Sequence, residues 1–180
     1  GIMNLAAASG EDLASTSDIV TDAMTAFGLS AEGTTKIVKD GFTKEVANAT
    51  HFADVLAAAS SNANTNVSML GESFEYAAPV AGSLGYSVED TAVALGLMAN
   101  SGIKASQGGT ALRTMLTNLA KPTDTVAGAM KYLNISLSNN DGSMKSLKEL
   151  IDDLRKSFGT CKMSTEDFNA KLAELDAGLA

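Results

Sequence analysis

The sequence has little of the side-chain chemistry on which most enzymes and metal-binding proteins depend. It contains one cysteine, Cys161, one histidine, His51, and no tryptophan. A single cysteine cannot close an intrachain disulfide, and one cysteine with one histidine provides too few ligands for the usual structural zinc sites. A fold held by internal disulfides and a zinc-dependent fold are therefore excluded.

Basic residues are also scarce relative to acidic ones. The 180 residues include 13 Lys and Arg but 21 Asp and Glu, which gives a formal net charge of −8. Such a protein repels phosphate backbones and acidic lipid headgroups over most of its surface. We therefore expect no direct nucleic-acid site, and the sequence shows no membrane segment or signal-peptide pattern.

Proline occurs only at Pro79 and Pro122, and the chain is rich in residues that favour helices. Apolar residues recur at three- and four-residue steps, the period of a one-sided helix. This pattern predicts helices over residues 11–27, 51–59, 67–84, 88–99, 105–120, 125–133, 147–158 and 165–175. The predicted fold class is all-α, a multi-helix array of short helices with one small β-hairpin near residues 135–144.

Two stretches depart from the helical pattern. From Ile135 to Met144, apolar and polar residues alternate around the turn-forming residues 140–142, which predicts the hairpin. From Glu32 to Asn48 the periodicity is weak and Gly and Thr are frequent, so we predict a short helix inside a flexible excursion.

Several helix starts carry a capping box, in which a serine is followed three residues later by an acid. The pattern occurs at Ser9/Asp12, Ser87/Asp90, Ser146/Glu149 and Ser164/Asp167. It places the acidic pairs at 11–12, 89–90 and 166–167 in first helical turns, where they favour the helix dipole. These carboxylates are therefore interpreted as structural.

The candidate catalytic residues each have a stronger structural interpretation. His51 opens an apolar helix and is expected to be a surface or capping residue rather than a general base. Cys161 has only Lys162 beside it to lower the thiol pKa, so an inert thiol is expected. Asp152 and Asp153 point about 100° apart on a helix and alternate with basic residues, as on a solvated face. We predict no catalytic, cofactor-binding or metal-binding residues, and no enzymatic activity.

The glycine-rich stretch from Gly102 to Thr110 is predicted to connect two helices rather than to hold a phosphate. Gly102 is expected to cap the preceding helix and Ser106 to start the next. Lys104 and Arg113 are too few basic residues for an anion site.

Small residues lie beside methionines in several places, as from Ala92 to Ala99. Such stretches permit close helix packing and adaptable apolar surfaces. Most of them are expected in the core, and the remainder favours self-association or a protein partner.

An ordered set of motifs resembles the phage tail tape-measure (minor tail) family. The motifs are Met3–Asp12, Asn62–Val67, Ala78–Gly82, Gly85–Asp90, Ala99–Arg113, Leu119–Thr123, Asn134–Ser136, Asp141-Gly142 and Met144–Leu147. The resemblance covers residues 1–158 and implies an internal or N-terminally truncated segment of the family domain. It further implies an insertion at 32–48. Residues 159–180 carry none of these motifs, and the apolar period predicts that they form a helical C-terminal extension.

The resemblance implies a structural virion component of a tailed phage or prophage. Its role would be to determine tail length and to assist tail assembly and genome delivery. The implied partners are the tail-tube protein, tail assembly chaperones and tail-tip proteins, and the implied location is the virion tail, assembled in the host cytoplasm. The alternative that the residues leave open is a self-contained helical binding module of a bacterial surface or host-interacting protein.

Overall fold

A computed structural model describes residues 1–39, 41–139, 141 and 144–160. Within these residues the order of elements is α1 Ile2–Ser9, α2 Leu13–Ala26, β1 Thr34–Lys39, β2 Phe42–Ala47, α3 Asn48–Asn62, α4 Val67–Ser83, α5 Val88–Asn100, α6 Ala105–Ala120, α7 Asp124–Tyr132 and α8 Leu147–Thr160. The predicted all-α class with a small hairpin is confirmed, and the two-stranded sheet is formed by β1 and β2 instead of residues 135–144. Helices α2 to α8 match seven predicted helices, α1 was not predicted, and the helix predicted at 165–175 lies outside the described residues.

The chain divides into two compact units, residues 1–113 and residues 114–180. The core of the first unit is centred on three phenylalanines. Phe52 of α3 and Phe74 of α4 are fully buried, with ring centroids 5.5 Å apart. Phe27, just after α2, lies 6.0 Å from Phe74 and 6.4 Å from Phe52. Tilted and edge-to-face rings at these distances stabilise a core beyond the area they bury.

Two of the predicted serine–acid capping boxes cap their helices in the described residues. Ser87 accepts a hydrogen bond from the Asp90 amide at the start of α5. Before α8, the Ser146 hydroxyl accepts from the Glu149 amide while the Glu149 carboxylate accepts from the Ser146 amide. Both halves of that capping box are formed.

The first predicted capping box is wrong, because the acid is itself the cap. Ser9 is the last residue of α1, and the Asp12 carboxylate accepts from the Ser15 amide at the start of α2. Glu11 and Asp12 therefore precede α2 instead of lying in its first turn. The fourth predicted box, Ser164/Asp167, lies outside the described residues.

The short helix predicted at 32–48 is wrong, because this stretch forms an antiparallel hairpin. Thr34 pairs with Ala47, and the register runs to Lys39 opposite Phe42. The strands contain β-branched residues, and the two-residue connection ends in Gly41 with φ +80°. An Asp-Gly dipeptide between β-branched runs is a strong hairpin signal that outweighs the absence of clear alternation.

The stretch predicted as a hairpin near 135–144 contains one isolated antiparallel bridge, Ser138 to Met144, among its described residues. The Lys145 amide also donates to the Leu137 carbonyl at 2.8 Å. Residues 140, 142 and 143 of this stretch lie outside the described residues. In the same unit, the Ser157 hydroxyl of α8 donates to the Leu133 carbonyl that follows α7.

The stretch after Gly102 is a helix-to-helix connection, as predicted. Gly102 has φ +89°, and the Ile103 amide donates back to the Met98 carbonyl at 2.9 Å, which closes α5 in a left-handed cap. Helix α6 begins at Ala105, one residue before the serine predicted to start it.

Candidate interaction surfaces

His51 joins two helices. It lies in the first turn of α3, and its Nε2 atom is 2.7 Å from Oε1 of Glu89 in the first turn of α5. The His51 side chain is only 13% exposed. The expectation of a surface or capping residue is therefore wrong, because a tertiary partner on α5 holds the imidazole against the protein.

The two carboxylates Asp152 and Asp153 do not act on a common site. Each has its own lysine: Asp152 Oδ2 is 3.0 Å from Lys148 Nζ, and Asp153 Oδ2 is 2.6 Å from Lys145 Nζ. The hydrogen bond from Lys148 is the main reason that the pKa of Asp152 is below its ordinary value. The Lys148–Asp152 pair fits the predicted solvated helix face, whereas Lys145 precedes α8 and its pair with Asp153 is largely covered. Cys161 lies outside the described residues.

Helices α3 and α5 run parallel and leave an apolar groove between them. Their starts are joined by His51 and Glu89. At their other ends the amide of Asn64, two residues after α3, donates to the side chain of Asn100, the last residue of α5, at 2.7 Å. The groove has a volume of about 370 Å³ and is lined by Val55, Ala58, Ala59, Asn62, Ala63, Glu89, Ala92, Val93, Gly96, Leu97 and Asn100. Most of its lining residues are apolar, and Asn62, Glu89 and Asn100 are the polar or charged ones.

The groove uses the small-residue stretch that the sequence singles out. Ala92, Leu95 and Ala99 are buried, as expected for core residues. Val93 and Leu97 are about half exposed, at 52% and 49%, and lie on the groove. The part of this stretch that is not core therefore forms an open apolar surface.

A second groove, between α2 and α4, has an acidic rim. Asp18 and Asp22 of α2 and Glu72 and Glu75 of α4 line a depression of about 260 Å³, and all four are exposed. Its floor is formed by Ile19, Ala23, Ser68 and Gly71. The helices approach closely there, because a Cβ atom on Gly71 would lie 2.8 Å from the Ile19 side chain. In the described residues, no group of three or more His, Cys, Asp or Glu is placed to hold a metal ion.

The hairpin is attached to the helices through Asn48, which is 4% exposed. Its amide donates to the Gly33 carbonyl at 2.9 Å, and its side-chain nitrogen donates to the Ser30 carbonyl at 2.8 Å. The Thr35 hydroxyl donates to the Asn48 side-chain oxygen at 2.6 Å. Asn48, at the end of the hairpin, is therefore hydrogen-bonded to the residues at its start, and the two ends of the hairpin are held together.

Comparison with known proteins decides the family. A family model described as phage-related minor tail protein matches residues 1–175. The chain belongs to this family. A tape measure protein of Pneumococcus phage Dp-1 is 38% identical over 175 residues, which are 97% of this chain and 14% of that protein. A probable tape measure protein of Escherichia phage P2 is 29% identical over 115 residues, which are 64% of this chain and 14% of that protein.

The chain thus spans about one seventh of the length of these curated relatives. No solved structure matches this member of the minor tail family. In the described part of the chain, no helix is both long and apolar enough to cross a bilayer.

In this minor tail family member the sequence did not reveal either groove or the histidine contact. Each surface combines residues from helices that are separated in the chain, such as Asp22 with Glu72, so no local spacing marks it. The exposed apolar residues of α5 did carry a local signal, because Val93 and Leu97 are one helical turn apart.

Proposed function

We propose that this chain is a segment of a tape measure protein, a structural component of the tail of a tailed phage or prophage. In this proposal the whole protein sets tail length by its own extent and assists tail assembly and genome delivery. The observation that carries the proposal is the 38% identity to a tape measure protein across 97% of this chain. The named relatives also favour this role over a bacterial surface binding module.

The fold suggests that different parts of the whole protein set tail length and make contacts with other tail proteins. A straight helix rises about 1.5 Å per residue, so 113 residues in one helix would extend about 170 Å. Residues 1–113 instead fold back on themselves, and their longest helix, α4, has 17 residues, or about 25 Å. We therefore assign most of the ruler length to other parts of the protein and assign attachment or assembly to this segment.

The proposed partners are the tail-tube protein, tail assembly chaperones and tail-tip proteins, in a virion tail assembled in the host cytoplasm. The apolar groove between α3 and α5 is a suitable contact surface, because Val93 and Leu97 are half exposed there. Truncating an apolar anchor in such a surface should weaken binding to the partner, as expected of an assembly surface.

We also propose that this segment acts without catalysis. The His51 imidazole is held by Glu89, and Asp152 and Asp153 are each held by a lysine. These contacts give the side chains structural roles. We propose that the hairpin at 34–47 is an insertion in the family domain. The hydrogen bonds from Asn48 to Ser30 and Gly33 support this, because they hold the two ends of the hairpin together.

The ruler proposal is tested in a phage that carries the full-length gene. An in-frame deletion of 100 helical residues outside this segment should shorten the tails by about 150 Å in electron micrographs. Replacing the same residues with an unrelated helical stretch of equal length is the matched control and should keep tail length unchanged. Viable deletion mutants with tails of normal length would refute the ruler proposal.

Point variants test the proposed absence of catalysis in the same phage. His51→Ala, Cys161→Ser and Asp152→Asn should leave tail formation intact. His51→Gln is the matched control for packing, because an amide still reaches Glu89 by a hydrogen bond. If both His51 variants fold but neither yields virions, the proposal that this segment acts without catalysis is contradicted.

A further inference from the structure

Charge is unevenly distributed within residues 1–113. This unit contains twelve acidic and five basic residues, and three of the five basic residues, Lys36, Lys39 and Lys44, belong to the hairpin strands. The other two are Lys104 and Arg113. With Glu45 and the intervening residue Asp40 included, the hairpin carries three basic and two acidic residues, whereas the rest of the unit carries two basic and ten acidic ones.

The hairpin also exposes large apolar side chains near its turn. Phe42 is 78% exposed and Val38 is 73% exposed. The register places Phe42 on the same face as Ile37 and Lys44. An exposed aromatic ring beside a lysine suits a target that is apolar in the centre and acidic at the rim. Because Phe42 is so exposed, it does not occupy a groove of its own copy.

The groove between α2 and α4 has this complementary character. Asp18, Asp22, Glu72 and Glu75 are exposed around its rim, and Ile19 and Ala23 form part of its floor. The face of the hairpin that carries Phe42 and Lys44 therefore matches the groove in both charge and polarity. Lys36 lies on the opposite face, where it is 3.8 Å from Glu45.

We propose that the hairpin of one copy docks into the α2/α4 groove of a second copy. Phe42 contacts the apolar floor, and Lys44, on the same face of the hairpin, faces the acidic rim. The contact joins two different surfaces, so each copy keeps a free hairpin or a free groove, and the assembly grows head to tail into a ring or a filament. This contact goes beyond the proposed ruler function and does not depend on it.

The lysines have a competing explanation that predicts the opposite result. Lysines on the unpaired edges of an exposed two-stranded sheet prevent edge-to-edge aggregation. If that is their role, replacing them increases association. If they dock into the acidic groove, replacing them decreases it.

The experiment measures self-association of the 180-residue chain by sedimentation velocity across a range of protein and salt concentrations. The wild-type chain should associate at low salt and dissociate as salt is raised, because exposed charges are screened over about 10 Å at 0.1 M. Lys44→Glu and Glu72→Lys should each weaken association about tenfold or more. Lys104→Glu and Asp54→Lys are the matched controls, with the same charge changes elsewhere, and should leave it unchanged.

Mixing the two reversed variants gives the most specific result. Lys44→Glu and Glu72→Lys should associate poorly alone but form heterodimers when mixed, because each variant still offers one native surface to the other. Phe42→Ser should weaken association without reversing any charge. Far-UV circular dichroism confirms that each variant is folded, and Lys44→Ala provides a milder substitution at the same position if Lys44→Glu does not fold.

Four results would overturn the proposal. These are a wild-type chain that stays monomeric at low salt, stronger association of Lys44→Glu, association unaffected by either reversal, and failure of the mixed variants to pair. Binding of a monomeric chain to vesicles of anionic phospholipid, lost in Phe42→Ser, would assign the hairpin to a membrane instead.

Discussion

Gly109 provides a direct test of how α6 packs against α4. It lies in the buried part of α6 against the backbone of Ser73. A Cβ atom on Gly109 would lie 2.9 Å from the carbonyl carbon and the Cα atom of Ser73, and closer still to its carbonyl oxygen. These are backbone atoms, which cannot rotate away as a flexible side chain can. Gly109→Ala must therefore move one helix relative to the other.

The expected magnitude follows from three opposing effects. Alanine in place of glycine favours a helix by about 1 kcal/mol. Overpacking at such a contact costs about 1–3 kcal/mol. Separation of the helices also weakens the hydrogen bond from the Ser73 hydroxyl to the Ala105 carbonyl, 2.7 Å long, which is worth about 1 kcal/mol. The net expectation is a loss of about 1–3 kcal/mol in the free energy of unfolding.

Gly96→Ala is the matched control in another helix. Its added Cβ atom would lie 3.3 Å from the Cβ atom of Ala63, beside the open α3/α5 groove. Because Ala63 can yield slightly, Gly96→Ala should be neutral or stabilise the protein by up to about 1 kcal/mol. Urea unfolding followed by far-UV circular dichroism measures both variants. Equal stability of Gly109→Ala and Gly96→Ala would refute the packing argument.

Two further outcomes are expected. Asn48→Ala should lower the free energy of unfolding by about 1–3 kcal/mol in urea titrations, because the Ser30 carbonyl and the Thr35 hydroxyl lose a buried partner; an unchanged unfolding midpoint would contradict this role. The pKa of Asp12 lies below its ordinary 3.8 chiefly because its carboxylate accepts a hydrogen bond from the Ser15 hydroxyl. The stability that the ionised Asp12 contributes to the folded protein is therefore fully present above pH 3.8 and is lost as pH falls through the folded-state pKa. Ser15→Ala should therefore raise the pKa of Asp12 in a carboxyl NMR titration, whereas Ser17→Ala should not.

Features set by near neighbours in the chain were predictable from the sequence. The apolar period identified α2 to α8, and the serines at 87 and 146 marked two helix starts. The cap at Gly102 was equally local, because only a residue without Cβ enters its left-handed conformation without strain. The hairpin at 34–47 was also marked locally, by Asp40-Gly41 between β-branched runs, but weak periodicity hid it.

The family resemblance was also present in the sequence, because a long ordered set of motifs is specific even when each motif is short. The family match over residues 1–175 confirms it. What the fold adds is that residues 1–113 are packed helices instead of an extended ruler.

The remaining features were decided only by tertiary structure. His51 is held by Glu89, 38 positions later in the chain, and Gly109 is required by the backbone of Ser73 in another helix. The rim of the acidic groove joins Asp22 to Glu72 in the same way. Sequence periodicity indicates which face of a helix is buried, but not which helix will cover it. That choice depends on how all the apolar faces pack together at once.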